Sequence, residues 1–150
     1  MPQITLVVTD FAGGSASTVV EVSVPVAAAY RDAVLADLPA AYWRLGEAAG
    51  TVLADDSGNA RAGSYLNVPT LGQPGALTGD TNTAVSFDGT NDYAEVPYAA
   101  ALNPAQFSLE AWAYLTGGQG LFRAVLSSRD IVAGATRGFT LYANAANAWE

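Results

Sequence analysis

Three places in this 150-residue chain gather residue types that do chemistry. The first is the run Ala54-Asp55-Asp56-Ser57-Gly58-Asn59. Asp55, Asp56 and Asn59 put oxygen donors on one glycine-bent loop, the ligand chemistry a hard cation such as Ca2+ prefers. The competing reading is an Asx turn, in which the same side chains accept from nearby backbone amides. The second is Asp88-Gly89-Thr90-Asn91-Asp92, where Asp88, Asn91 and Asp92 face a cation or sugar hydroxyls, or else form a hairpin turn with Asp-Gly at its tightest point. The third is Glu110, Trp112 and Tyr114, which alternate and so share a strand face. A ring face meets sugar C–H groups while an acid takes hydroxyls. The alternative is that Trp112 belongs to a core between two sheets.

Other chemistries are excluded by what the chain lacks. It has no histidine, cysteine or lysine. That removes the commonest neutral-pH base and metal ligand, thiol nucleophiles and thiolate metal sites, disulfides, and Schiff-base or Ser–Lys catalysis. A Ser-His-Asp triad cannot form. Glu95 and Glu110 are single acids on separate strands, not the flanking pair that glycoside hydrolysis needs. The net charge of −8, with no basic cluster, is a poor match for nucleic acid or an anionic membrane surface. The few arginines are scattered, and Arg44 and Arg61 are expected to pair with nearby acids.

Secondary structure must position these groups. Residues 4–9 and 18–24 are β-rich with period-two alternation, joined by turn residues at 10–15. A lone hairpin is marginal in water, so it must pack on something. Pro25 to residue 29 reads as linker. Tyr30, Val34, Leu35 and Leu38 have helical spacing, stopped by Pro39. Beyond residue 40 all is strands and turns: strands at 42–45, 84–87, 93–96, 107–115, 124–127 and 138–143, loops at 55–59 and 72–79, and a turn at 88–92 between two strands running out and back. Trp43 is expected in the core. Strands at this spacing with Gly, Asp and Asn turns indicate an antiparallel sandwich or jelly roll. Half the residues are hydrophobic, enough for a sizeable core, and only 13% are charged. The longest apolar stretches fall below the roughly 20 residues that span a bilayer. The first residues lack the charged region of a signal peptide.

Two resemblances follow. Val8-Thr9-Asp10 with Gly13, followed by alternating valines, resembles the last two strands of a PKD-type or cadherin-like repeat over residues 3–26. From Tyr30 on, the order of motifs resembles the bacterial laminin G-like group of concanavalin A-like jelly rolls. The stretches are Tyr30-Arg31-Asp32-Ala33-Val34-Leu35-Ala36-Asp37 with Pro39, Ala41-Tyr42-Trp43-Arg44-Leu45-Gly46-Glu47, Ala54 to Asn59, Gly72-Gln73-Pro74-Gly75-Ala76-Leu77, Ala84-Val85-Ser86-Phe87-Asp88-Gly89 and Phe107-Ser108-Leu109-Glu110-Ala111-Trp112.

The resemblance implies a two-sheet jelly roll, export, a role in binding or adhesion, and commonly a calcium ion at the rim. Enzymes of that architecture carry a Glu-x-Asp-x-Glu strand, which this chain lacks. Such domains continue with several more strands, so the chain is expected to be a fragment of a longer gene product. The expected organisation is a hairpin of an upstream repeat (1–26), a linker with a short helix (27–39), and the first part of an incomplete jelly roll (40–150). The expected function is non-catalytic binding of a glycan or surface polymer at the cell exterior, possible calcium support included, next to other domains of the same chain. The competing expectations are a structural spacer repeat without a small ligand, and an accessory domain of a glycoside-active enzyme.

Overall fold

The computed structural model describes residues 3–9, 15–21, 26–118, 120–132 and 135–150. The fold is all-β; among the described residues the strands pair antiparallel, beside one short α-helix and a 3-10 turn at Ala100–Leu102. Strands β1 (Gln3–Thr9) and β2 (Ser15–Glu21) form a fully paired antiparallel ladder, from Gln3 opposite Glu21 to Thr9 opposite Ser15. Of the turn expected at 10–15, Ser15 is already the first residue of β2, and residues 10–14 lie outside the described residues.

Helix α1 runs Val26–Ala36, so residues 26–29, expected as linker, are helical. Its end is set by local chemistry. Asp37 and Leu38 donate to Val34 and Leu35 carbonyls, a tightened final turn. Leu38 then takes φ 52°, the left-handed conformation in which helices commonly end, and Pro39 prevents the helix from resuming. That throws Leu38 outward, 85% exposed, off the apolar helix face expected for it.

The remaining described strands form four sheets. β3 (Val52–Leu53), β4 (Gly63–Leu66) and β7 (Tyr93–Glu95) make a three-stranded sheet in the order β3-β4-β7. β5 (Thr70–Gln73) pairs with β6 (Ala84–Ser86). β8 (Arg123–Ser127) pairs with β11 (Thr140–Ala143), and β9 (Asp130–Val132) with β10 (Ala135–Arg137). Along β4, Gly63 and Tyr65 point inward and Ser64 outward, the period of two that a half-buried strand imposes. Leu53, Tyr65 and Ala143 are the buried hydrophobic side chains among the described residues.

Three strand expectations are corrected. The strands flanking 88–92 do not pair with each other: β6 joins β5 and β7 joins β4, so the loop crosses between two sheets. Residues 42–45 carry no ladder. Leu45 sits at φ 53°, outside the β region, and side chains take the backbone groups that a neighbouring strand would use. Residues 107–115 also carry no ladder, and both faces of their alternation are open: Phe107, Leu109, Trp112 and Tyr114 are all exposed.

Gly63 has a packing reason. A Cβ there would overlap the Glu95 carbonyl oxygen across the β4–β7 pair. Gly63→Ala is expected to destabilise the chain by about 2 kcal/mol, the usual scale of overpacking, read as a lower Tm in thermal melting.

Candidate functional site

Asp55 follows β3 and gathers the loop around itself. Its Oδ1 accepts from the Tyr42 and Ser57 amides, both at 2.9 Å. Its Oδ2 accepts from the Ser57 hydroxyl and the Arg61 amide, also at 2.9 Å. The Asp56 amide returns a bond to the Tyr42 carbonyl at 2.8 Å. An ionised carboxylate offers about four lone-pair sites, and all four are taken by this protein's own donors. Burial, the largest single influence, raises the Asp55 pKa, but the bonds from Tyr42, Ser57 and Arg61 together outweigh it and hold the group at about 2.

The sign of the pH effect follows. A depressed carboxylate contributes stability that is present above its ordinary value of 3.8 and is lost as pH falls toward about 2. Urea unfolding of the wild type at pH 5 and pH 2.5 is expected to show a steeper loss than in Asp55→Asn, which has no charge to lose.

Around this centre the other loop residues are also engaged. Asp56 meets Arg31 at 3.0 Å and Arg44 at 3.7 Å, and Arg44 also reaches Asp80 at 3.8 Å. Arg61 differs from expectation: its guanidinium goes to the Ala40 carbonyl, not to an acid. Asn59 donates its amide to the Pro39 and Ala40 carbonyls. Trp43 is half-buried, with its indole N–H on the Arg61 carbonyl at 2.8 Å. Asp55, Asp56 and Asn59 therefore stand close in space, but as a network that ties α1, the 40–45 arm and the loop together. The donor set around Asp55 does not fit a cation, since a metal would have to displace bonds already made. Among the described residues no group of three His, Cys, Asp or Glu side chains could hold a metal ion.

The 88–92 loop has the same logic at the surface. Asp88 Oδ1 accepts from the amides of Thr90, Asn91 and Asp92, at 2.7, 3.2 and 3.3 Å. The Asp88 amide donates to Asp92 Oδ2 at 3.3 Å. The bonds from Thr90 and then Asn91 lower the Asp88 pKa. One carboxylate thus organises a five-residue connection, which explains why it need not be a two-residue hairpin turn.

Glu110, Trp112 and Tyr114 lie together on the unpaired 107–115 segment. Trp112 is 65% exposed and Tyr114 90% exposed, so neither ring is core. Tyr30 of α1 joins them. The Trp112 indole N–H donates to the Tyr30 hydroxyl at 2.8 Å, and that hydroxyl donates to Glu110 Oε1 at 3.0 Å. The Tyr30 and Trp112 rings meet edge-on, with centroids 6.3 Å apart. Burial first, and then the Glu110 carboxylate, raise the Tyr30 pKa against the opposing Trp112 bond. The relay fixes the Trp112 ring with its face open and leaves Glu110 Oε2 with no partner among the described residues. Helical spacing places Tyr30 at an apolar position; its hydroxyl is the feature that also lets it bond.

Deeper in, Glu47 accepts from the Ala54 amide at 2.8 Å and from the Tyr65 hydroxyl at 2.6 Å. Burial and then this carboxylate push the Tyr65 pKa up. Glu95 lies exposed on β7 opposite Ser64. No helix among the described residues is long and apolar enough to cross a membrane. No protein-family model matches this chain, and no curated protein and no solved structure matches it.

Proposed function

We propose that this chain is a non-catalytic binding or adhesion module of an extracellular or cell-surface protein, and that it recognises carbohydrate or a surface polymer through Trp112, Tyr114 and Glu110. The observation that carries this reading is the exposure of both rings on a segment where Tyr30 holds Trp112 and Glu110 in fixed relation. An open, oriented indole face is suited to stacking on sugar C–H groups, and its neighbouring carboxylate to accepting from hydroxyls. A spacer repeat has no use for such a fixed arrangement. The fold assignment that goes with this reading is a laminin G-like jelly roll, preceded by a hairpin of an upstream repeat. The six ordered motifs and the antiparallel strands support it.

The test is a glycan array with wild type and Trp112→Ala. A neutral oligosaccharide bound by the first and not by the second supports the reading; a blank array for both leaves the spacer. Calcium support rests on Asp88 and Asp92, each of which keeps one carboxylate oxygen without a described partner. It is expected to raise Tm progressively as calcium is titrated, and an unchanged melt removes the ion from the account.

A further inference from the structure

The β8–β11 pair carries a second feature, away from Trp112. Phe122, the residue just before β8, is two positions from Ala124 on β8; Thr140 and Tyr142 lie on β11, and Tyr142 stands opposite Ala124. With Arg129 these residues line an open pocket of about 400 Å³. The small Ala124 side chain leaves a floor between the rings of Phe122 and Tyr142, whose centroids are 5.5 Å apart at 48°. Phe122 is 71% exposed. The Tyr142 ring is held in place, because its hydroxyl donates to Glu150 Oε2 at 2.6 Å. The Thr140 hydroxyl shares a hydrogen bond with Ser127 at 3.0 Å.

Arg129 distinguishes this pocket. The guanidinia of Arg31 and Arg44 sit on Asp56, that of Arg61 on the Ala40 carbonyl, and that of Arg123 on the Gly117 and Asn144 carbonyls and Asn147. Among the described residues, the Arg129 guanidinium has no hydrogen bond or ion pair. A guanidinium is a fork of donors that matches a carboxylate in two parallel bonds. Two tilted rings beside it offer apolar faces, and a hydroxyl completes the wall.

We propose that this pocket binds a carboxylate-bearing sugar, a uronate unit of a polysaccharide: Arg129 takes the carboxylate, Phe122 and Tyr142 take the C–H face, and Thr140 a ring hydroxyl. The Glu150 carboxylate opposes an anion, but it is already engaged by the Tyr142 hydroxyl and the Asn144 amide. The net charge of −8 acts at longer range, where salt screens it beyond roughly 8–10 Å. The pocket does not depend on the Trp112 face.

The experiment uses the full chain and NMR titration with tetragalacturonate, its fully methyl-esterified form, and acetate alone. Tetragalacturonate is expected to shift signals of Arg129, Phe122 and Tyr142. Its methyl ester, and tetragalacturonate with Arg129→Gln, are each expected to bind at least about tenfold more weakly, the scale of a charge-assisted pair. Because Arg129 is exposed, the variant keeps its fold, checked by overlay of the remaining signals. The proposal is overturned if tetragalacturonate shifts none of these signals, if the ester or Arg129→Gln binds as well, or if acetate alone competes equally. Shifts confined to Trp112 and Tyr114 also overturn it, while leaving the Trp112 reading intact.

Discussion

Asp55→Ala is expected to lower the unfolding free energy by about 3 kcal/mol, because it strands several donors at once. The Tyr42, Ser57 and Arg61 amides and the Ser57 hydroxyl all end on this carboxylate. A charged hydrogen bond contributes more than a neutral one, and donors left partly buried without an acceptor cost more than the bond itself contributed. The four losses are not additive, since the loop relaxes as a unit. Asn at this position is nearly as damaging. Its single side-chain oxygen serves two donors, and its NH2 then faces the others. Urea denaturation reads both as a lower midpoint with unchanged m-value. By contrast, Asp56→Asn loses only ion pairs to Arg31 and Arg44 that water screens, and its expected cost is below about 1 kcal/mol.

Trp112→Ala is expected to abolish recognition of the neutral glycan, with Kd rising by at least about thirtyfold, the scale of a buried aromatic hot spot. Two effects combine in that figure. The stacking face disappears, and the Tyr30 hydroxyl loses the indole N–H that holds it. Tyr30→Phe separates them. The Trp112 face survives, but the bond from Tyr30 to Glu110 and the bond from Trp112 to Tyr30 both vanish. Its expected effect is smaller, about threefold to tenfold, because orientation is lost and the ring is kept. Stability is little affected, since Trp112 is mostly exposed.

Where patterning is local, the amino-acid order predicts this architecture well. The alternation at 4–9 lies in β1 and residues 18–21 of the second run lie in β2, while 22–24 fall outside the described residues; the apolar run at 124–127 lies in β8, and residues 140–143 of the run at 138–143 form β11. The Asx-turn alternatives at Asp55 and Asp88 describe the observed hydrogen bonds, because such turns need only neighbours in the chain.

What sequence missed depends on distant partners. The stretch 72–79 reads as a loop, yet Gly72, at φ 68°, lies within β5 where the register shifts, as glycine does at a bulge. The pairing of β6 with β5 and β7 with β4 is set by strands remote in sequence, which alternation does not rank. The 107–115 pattern is a strand pattern, but a pattern does not supply a neighbour to bond with. The Tyr30–Glu110–Trp112 relay spans about eighty positions, and only folding brings its members together.

The most direct measurement follows the indole N–H signals of Trp43, Trp112 and Trp149 while a glycan from the array is titrated in. Substituting each tryptophan by phenylalanine assigns the three signals. Recognition at the Tyr30–Glu110 relay requires Trp112 to shift in a saturable manner, with Trp43 and Trp149 unmoved. A neutral glycan that binds while the Trp112 signal stays in place contradicts the account.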